Sequence, residues 1–310
     1  MSALDPIFKA YDVRGTVPDQ LDDRLARAIP EDEARFVAEL GLHGGRGVGW
    51  VLVARDLCFF CFFLVAAFAD GVRSQGLDVV DLGLGSTDLL YFASGSLDAP
   101  GAMFTASHNP AQYNGAKFCL SSARPVGESS GLRRVKELAE AELDGALVGL
   151  APLGRLFHED VLDEFADHVR SFVDVGVLRP LKVVADTANG MGGLVVPAVF
   201  STLPFDLEVM FGELDGTFPN HPADPIQPEN TEALRARVVE SGADVGLAFD
   251  GDADRVFLVD EQGVGLSGST TTAIIAAGIL DKHPGETVIH NLICSKAVPE
   301  VVREHGGTPV

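Results

Sequence analysis

Three aspartates alternate with two small residues directly after an apolar run of the sequence. The segment 244–255 reads DVGLAFDGDADR, which places Asp250, Asp252 and Asp254 after the run. Carboxylates this close repel one another unless a cation lies among them, and oxygen ligands of this kind select Mg²⁺ over zinc or copper. We therefore predict a Mg²⁺ site, with Arg255 as a bidentate donor to a phosphate oxygen. An acidic surface turn or a structural calcium loop is the alternative, which the preceding strand pattern disfavours.

A serine in a turn forms the second candidate group. The segment 101–118 reads GAMFTASHNPAQYNGAKF, and Ser107 follows its apolar start. Asn109 and Pro110 predict a turn that fixes the serine hydroxyl at a sheet edge. Beside a metal ion, such a hydroxyl can carry a phosphoryl group and pass it on. The alternative is an ordinary surface turn with His108 exposed.

Two further cations could serve such a site. The pair Asn114-Gly115 predicts a tight turn that would return Lys117 to the serine. There the lysine could act as a general acid or base, or as a phosphate clamp. Arg14 lies in YDVRG, 11–15, where we predict a turn near the amino terminus.

These residues need a scaffold, and short apolar runs followed by turns and helical patterns indicate one. This rhythm is typical of α/β units with mostly parallel sheets. The predicted strands are 49–54, 77–82, 101–105, 181–186, 207–211, 244–249 and 287–290. The predicted helices are 132–142, 158–173 and 231–241.

Breaks in this rhythm predict three units. Small residues and a proline interrupt the pattern at 145–156, and another strand ends near 258. We predict a first domain at 1–150 with the serine, a second at 151–258 with the aspartates, and a partial third at 259–310.

Composition excludes several classes of partner. With 45 acidic and 23 basic residues among 310, the net charge of −22 argues against a nucleic-acid or anionic-membrane surface. The longest apolar run, 57–68, is about half of what a bilayer span needs. We therefore expect no membrane association. An anionic ligand must be met by a local cluster of positive groups.

The cysteines predict a reducing compartment. Four cysteines, too few and too scattered for a disulfide framework, favour the cytoplasm. Cys58 and Cys61 form a C-x-x-C, but the phenylalanines around them indicate packing residues. No second pair completes a zinc site.

Five segments together closely resemble the α-D-phosphohexomutases, in particular their bacterial phosphomannomutase/phosphoglucomutase branch. The resemblance runs over essentially the whole chain, and Tyr113-Asn114-Gly115 is more like the mannose/glucose branch than the glucosamine branch. The five segments are KAYDVRG (9–15), TASHNPAQYNGAK (105–117), DTANGMGG (186–193), FPNHPADP (218–225) and DGDADR (250–255).

The resemblance implies consecutive mixed, mostly parallel α/β/α sandwich domains, with the third incomplete and the fourth absent. It implies that Ser107 is phosphorylated and that its phosphate and the three aspartates bind Mg²⁺. The substrate would be a phosphosugar, with hexose 1-phosphate and 6-phosphate of mannose or glucose exchanged through a 1,6-bisphosphate that also serves as activator. Catalytic and phosphate-binding roles would fall on His108, Lys117, Arg14, Asn109 and Arg255.

The chain departs from the family pattern in two places. Where the family has R-D-x-R-x-S-S, Arg55 and Asp56 remain, but 57–63 reads LCFFCFF, which predicts a helix without its polar cap. That segment would pack more deeply or form an exposed patch that favours self-association. The family's sugar-binding Gly-Glu-x-Ser-Gly-His loop does not occur in the 310 residues. We therefore expect weak or no mutase turnover from this polypeptide alone.

Two alternatives stay open at this point. A strand ending in Asp-x-Asp is also how haloacid-dehalogenase-type phosphatases present a nucleophile, which would here be Asp250. A non-catalytic phosphosugar-binding remnant would fit the altered segment 57–63. The preference for mannose or glucose and the oligomeric state stay undecided.

Overall fold

The computed structural model describes residues 4–17, 19–21, 49–58, 60–110, 112–143 and 152–310. The strands are β1 (Val13–Thr16), β2 (Trp50–Arg55), β3 (Asp78–Leu84), β4 (Gly101–Phe104), β5 (Tyr113–Leu120), β6 (Arg124–Pro125), β7 (Leu156–His158), β8 (Leu181–Asp186), β9 (Phe205–Met210), β10 (Val245–Phe249), β11 (Val256–Asp260), β12 (Thr287–Val288) and β13 (Thr308–Pro309). The α-helices are α1 (Cys61–Ser74), α2 (Thr87–Leu97), α3 (Leu132–Leu143), α4 (Leu162–Ser171), α5 (Gly192–Phe200), α6 (Glu232–Ser241), α7 (Gly268–Lys282) and α8 (Ala297–Glu304).

The first sheet is mixed and has the order β1-β5-β4-β2-β3-β7, with β6 on β5. Strands β4, β2, β3 and β7 are parallel, whereas β5 runs antiparallel to both β4 and β1. Alternate residues of β2 enter different cores: Val51 and Val53 lie in the cluster that contains Phe68 of α1, and Leu52 lies in the cluster that contains Leu90 of α2. Both faces of this strand are therefore buried, as in an α/β sandwich.

The second sheet has the order β11-β10-β8-β9, with β8 parallel to both β9 and β10, and β11 antiparallel. Its helices share a core with the first unit, because Phe165 of α4 and Val195 of α5 lie in the same buried cluster as Leu90. Burying apolar surface across this junction stabilises the two units against each other. The loops at the ends of both sheets are thereby held in a fixed relation.

The segment that follows β11 contains two helices and a short sheet. Helices α7 and α8 pack Leu280 and Val302 together beside the two-stranded parallel sheet of β12 and β13. In the part of the chain that the structure describes, no helix has the length and apolarity to cross a bilayer. The domain boundaries at 150 and 258 stay predictions, and β7 beyond the first of them pairs with β3.

The predicted mixed α/β fold is confirmed, and each predicted strand or helix overlaps an observed one. Two turns were predicted wrongly. Asn114 and Gly115 lie inside β5, and Arg14 lies inside β1, opposite Gly115. A Cβ on Gly115 would lie 2.4 Å from the carbonyl oxygen of Val13, so this glycine permits close approach of a neighbouring strand.

The altered segment gives the predicted uncapped helix. Helix α1 begins after Phe60, and no side chain caps it. Phe62 and Phe63 are 65% and 60% exposed, which favours the exposed patch over deeper packing. Self-association through that patch stays a prediction.

Candidate active site

Loops from both sheets meet at the carboxyl ends of their parallel strands. Strand β4 leads into the serine loop at 105–109, β3 leads into the start of α2, and β10 leads into the acidic loop at 250–255. A crevice at the carboxyl ends of strands is where α/β sheets bind ligands.

Ser107 is buried and held in a left-handed backbone conformation, with φ of 55°. Its N–H donates to Thr105 Oγ1 at 2.7 Å, and the Asn109 side-chain amide donates to the carbonyl oxygen of Ala106 at 2.9 Å. The predicted turn is therefore confirmed. A non-glycine residue in this conformation is strained, and strain of this kind is typical of functional sites.

The three aspartates converge as predicted, with one oxygen from each within 4.8 Å of the others. Asp250 and Asp252 are fully buried. Burial and the charge of Asp252 raise the pKa of Asp250, which reflects the cost of crowding these carboxylates together. Asp252 Oδ1 is buried without a hydrogen-bond partner. A divalent cation satisfies both the charge and the free oxygen, so the donor set fits Mg²⁺.

Ser107 belongs to this acidic site, although 143 positions separate it from Asp250 in the sequence. Its hydroxyl donates to Asp250 Oδ2 at 3.2 Å. Arg255 Nη2 donates to Ser107 Oγ at 2.5 Å and also pairs with Asp250 Oδ2. The arginine thus places one positive group between the serine and the acidic loop.

Lys117 reaches the same loop from β5, since this strand runs antiparallel to β4. Its ammonium lies 2.7 Å from both Asp252 Oδ2 and Asp254 Oδ2. Burial opposes its charge, but the two carboxylates more than offset that effect and raise the pKa of Lys117. The ammonium of Lys117 therefore stays charged in this arrangement.

The other predicted site residues are His108, Arg14 and Asn109, and each has its own contacts. His108 Nδ1 is 2.6 Å from Arg255 Nη2, and burial together with Arg255 lowers the histidine's pKa, which favours a neutral ring. Arg14 pairs with Asp12 at 2.6 Å and keeps a buried Nε without a partner, which leaves a donor for an anion. The Asn109 amide holds the serine turn itself.

Sequence reasoning missed Thr87. Its hydroxyl donates to Asp252 Oδ2 at 2.5 Å, and its N–H donates to the Asp252 carbonyl oxygen at 3.2 Å. The residue is fully buried at the start of α2, after the N-cap Ser86. The run Gly85-Ser86-Thr87 could have indicated the start of a helix, but not the contact with Asp252.

A cavity of about 580 Å³ opens beside these groups. Its lining includes Lys117 and Asp254 of the acidic site and also Tyr11, Tyr91 and Arg133. Its position gives a small polar ligand direct access to the lysine and the acidic loop.

Gly251 allows the serine loop and the acidic loop to touch. A Cβ at this position would lie 2.5 Å from the Ser107 carbonyl oxygen, closer than real contacts of this kind. We expect Gly251→Ala to displace Ser107 and to lower the free energy of unfolding by about 1–3 kcal/mol, measured by urea denaturation. Gly265→Ala is the matched control, because nothing lies within 4 Å of its added Cβ. Equal denaturation midpoints for the two variants would contradict this close approach.

The half-buried His221 pairs with the buried Asp186 next to the acidic loop. His221 Nε2 lies 3.1 Å from Asp186 Oδ2, and Met191, five residues after Asp186, donates its N–H to the Gly251 carbonyl oxygen at 2.9 Å. The hydrogen bond to Asp186 raises the pKa of His221 above its ordinary value of 6.5. The pair thus fixes segments that contact the acidic loop.

This pair predicts a pH dependence of stability. Because the pKa of His221 is raised in the folded state, the stability that the pair contributes is fully present below pH 6.5. That stability is lost as the pH rises through the folded-state pKa of His221. We expect His221→Gln to remove this loss, measured as the free energy of unfolding between about pH 5 and about pH 9. His283→Gln, at an exposed position, should keep the wild-type profile. The pair makes no such contribution if His221→Gln keeps that profile as well.

Comparisons with known proteins agree with this geometry. The family description "Phosphoglucomutase/phosphomannomutase, alpha/beta/alpha domain I" matches residues 5–144, and the description of domain II matches residues 163–263. Phosphohexose mutases of Xanthomonas campestris are 38% identical over 306 residues, and a phosphomannomutase of Escherichia coli K12 is 37% identical over 309 residues. Both alignments cover 98% of this chain and 66% of the relative, so the chain spans about two thirds of the length of these relatives.

Solved structures also superpose on this chain. A phosphoglucomutase/phosphomannomutase family protein from Burkholderia thailandensis superposes with a TM-score of 0.85 at 33% identity, covering all of this chain and 66% of its own. An N-acetylphosphoglucosamine mutase of Aspergillus fumigatus, solved with GlcNAc-6P and magnesium, has a TM-score of 0.56 at 15% identity, covering 100% of this chain and 64% of its own. The second likeness concerns the fold alone.

Proposed function

Because the chain belongs to the phosphoglucomutase/phosphomannomutase family, we propose that it carries the phosphoserine and metal sites of an enzyme that interconverts hexose 1-phosphate and hexose 6-phosphate. The observation that carries this proposal is the contact of Ser107 with both Asp250 and Arg255, at 3.2 and 2.5 Å. A serine hydroxyl between a guanidinium and a carboxylate cluster is placed to hold a transferable phosphoryl group.

The proposed reaction exchanges one phosphoryl group between Ser107 Oγ and a sugar hydroxyl. In the forward half, the bond from Ser107 Oγ to phosphorus breaks while phosphorus bonds to the sugar oxygen. The sugar hydroxyl gives up one proton, and Ser107 Oγ recovers one. The bisphosphate formed then presents its other phosphate to the serine, and the reverse exchange completes the interconversion. Positioning and charge neutralisation dominate such transfers.

Lys117 and Arg255 supply fixed positive charge to this exchange. Arg255 orients the serine oxygen and neutralises a phosphate on it. Lys117, held charged by Asp252 and Asp254, donates a proton to the sugar oxygen in the direction in which that oxygen leaves. Asn109 holds the serine turn through its bond to Ala106, His108 contacts Arg255 beside the serine, and Arg14 offers its free Nε to a phosphate.

The oxygens of Asp250, Asp252 and Asp254, together with the phosphate on Ser107, would hold Mg²⁺, which stabilises the charge on a transferring phosphoryl group. The free Oδ1 of Asp252 supports this assignment.

The proposed substrates are the 1-phosphates and 6-phosphates of mannose, glucose or both, with the 1,6-bisphosphate as activator, in the cytoplasm. The cavity of about 580 Å³ beside Lys117 has room for such a sugar phosphate. Since the 310 residues contain no Gly-Glu-x-Ser-Gly-His loop, we propose that this polypeptide alone takes up phosphoryl groups but turns over weakly or not at all.

Phosphoenzyme trapping tests the proposal. The dephosphorylated chain is incubated with Mg²⁺ and hexose 1,6-bisphosphate labelled in its phosphates, and the labelled peptide is mapped. Acid-stable label on Ser107 is the expected result. Hydroxylamine-labile label on Asp250 would indicate the phosphatase instead, and bisphosphate binding without label would indicate a non-catalytic remnant.

A further inference from the structure

We propose that Cys58 and Cys61 form a reversible redox site that exchanges with low-molecular-weight disulfides and whose state reaches the Ser107 loop through Asp56 and Thr105. The structure places the two cysteines side by side with their Cα atoms 5.2 Å apart, a separation that a disulfide spans. The proposal goes beyond the expectation that they serve in packing, which the place of Cys61 in the buried core supports.

The position of the pair suits thiol exchange. The C-x-x-C lies between β2 and α1, and Cys61 is the first residue of that helix. A C-x-x-C at a helix start within a βαβ unit is typical of redox-active dithiols. The Cys61 N–H donates to the Cys58 carbonyl oxygen at 2.9 Å, which closes the short loop between them.

The two sulfurs differ in access, and this difference assigns their roles. Cys58 is half-buried, whereas Cys61 is 1% exposed. The Cys58 thiolate would attack an external disulfide, form a mixed disulfide and release one thiol. The Cys61 thiolate would then attack the Cys58 sulfur and release the second thiol. Two protein thiols and one external disulfide thus give one protein disulfide and two external thiols.

Hydrogen bonds connect this pair to the serine loop. Cys61 Sγ lies 3.4 Å from the Phe104 carbonyl oxygen and 3.5 Å from both Asp56 Oδ1 and Asn114 Oδ1. A thiol can donate its proton to one of these oxygens, and a disulfide can donate to none. Asp56 also has a side-chain hydrogen bond with Thr105, and Thr105 Oγ1 accepts the Ser107 N–H. Oxidation therefore changes the acceptors next to the strand end that carries Ser107.

To test this proposal, the folded chain is equilibrated in buffers that differ in the ratio of glutathione to glutathione disulfide. The reaction is quenched with acid, free thiols are alkylated, and the peptides are mapped. We expect a peptide with Cys58 and Cys61 linked, lighter by two hydrogens, which dithiothreitol reverses. Cys61→Ser should accumulate glutathione on Cys58, and Cys58→Ser should leave Cys61 unmodified. Cys294→Ser is the control and should leave the transition unchanged. Circular dichroism verifies the fold of each variant.

The coupling has its own readout, which does not need mutase activity. We expect the amide hydrogen of Ser107 to exchange with solvent at least about threefold faster or slower in the oxidised than in the reduced chain. Equal exchange in the two states overturns the coupling. Alkylation of both cysteines at every glutathione ratio overturns the redox site. Stoichiometric zinc that protects both thiols until a chelator removes it would also overturn the redox site, because Asp56, Cys58 and Cys61 can hold a metal as well.

Discussion

Ser107→Ala is expected to reduce label uptake from hexose 1,6-bisphosphate to the level of a blank, a loss of at least about 1000-fold. The variant removes the one oxygen that contacts both Asp250 and Arg255. The left-handed backbone at φ 55° stays accessible to alanine at similar cost, so the fold should persist. Uptake is measured as protein-bound radioactivity after acid precipitation.

The control for this prediction is Ser201→Ala. That serine is exposed at the end of α5, and its hydroxyl bonds only to the Ala198 carbonyl oxygen of its own helix turn among the hydrogen bonds found in the described chain. It should keep wild-type uptake. Persistent label in Ser107→Ala, with the control unchanged, would mean that another residue accepts the phosphoryl group.

Asp252→Asn is expected to weaken Mn²⁺ binding and label uptake by at least about 100-fold. The substitution removes the charge that Lys117 pairs with at 2.7 Å and the carboxylate that accepts the Thr87 hydroxyl. It also exchanges a free carboxylate oxygen for an amide group, which is a poorer ligand for a hard cation. Mn²⁺ affinity is measured by electron paramagnetic resonance of the free ion.

Asp206→Asn is the matched control, because Asp206 is an exposed aspartate of β9 and lies outside the acidic loop. The control should bind Mn²⁺ like the wild type. If Asp252→Asn binds the ion equally well, the acidic loop is not the metal site.

Much of the site could be predicted from short segments, because the chemistry there is local. Asp250, Asp252 and Asp254 converge since their spacing and small neighbours leave few other arrangements. Asn109 and Pro110 determine the serine turn in the same way. Such predictions need no knowledge of distant contacts.

The errors arise where tertiary contacts override local preference. Asn114-Gly115 is a strong turn signal, yet Gly115 lies in β5 because β1 needs close approach there. Lys117 reaches the acidic loop through the antiparallel pairing of β4 and β5, not through a turn. Thr87 was missed because its role depends on a contact across 165 sequence positions. No local pattern encodes such a contact.

The closeness of Cys58 and Cys61 was not used at the level of sequence for a different reason. The phenylalanines around Cys58 and Cys61 indicated burial, but Phe62 and Phe63 are exposed, and among the described residues of 57–63 Cys61 alone is fully buried. The local sequence is hydrophobic in composition without a clear inward face. Composition alone therefore could not separate packing cysteines from a paired dithiol.

The central claim is that Ser107 and the aspartates of the second sheet form one metal-dependent site. Phosphorus nuclear magnetic resonance of the phosphorylated chain tests it most directly, because bound Mn²⁺ broadens only phosphorus nuclei close to it. We expect stoichiometric Mn²⁺ to broaden the Ser107 phosphate signal beyond detection, and Asp252→Asn to restore a sharp signal. A sharp phosphoserine signal in the presence of tightly bound Mn²⁺ would place the metal away from the serine and contradict the account.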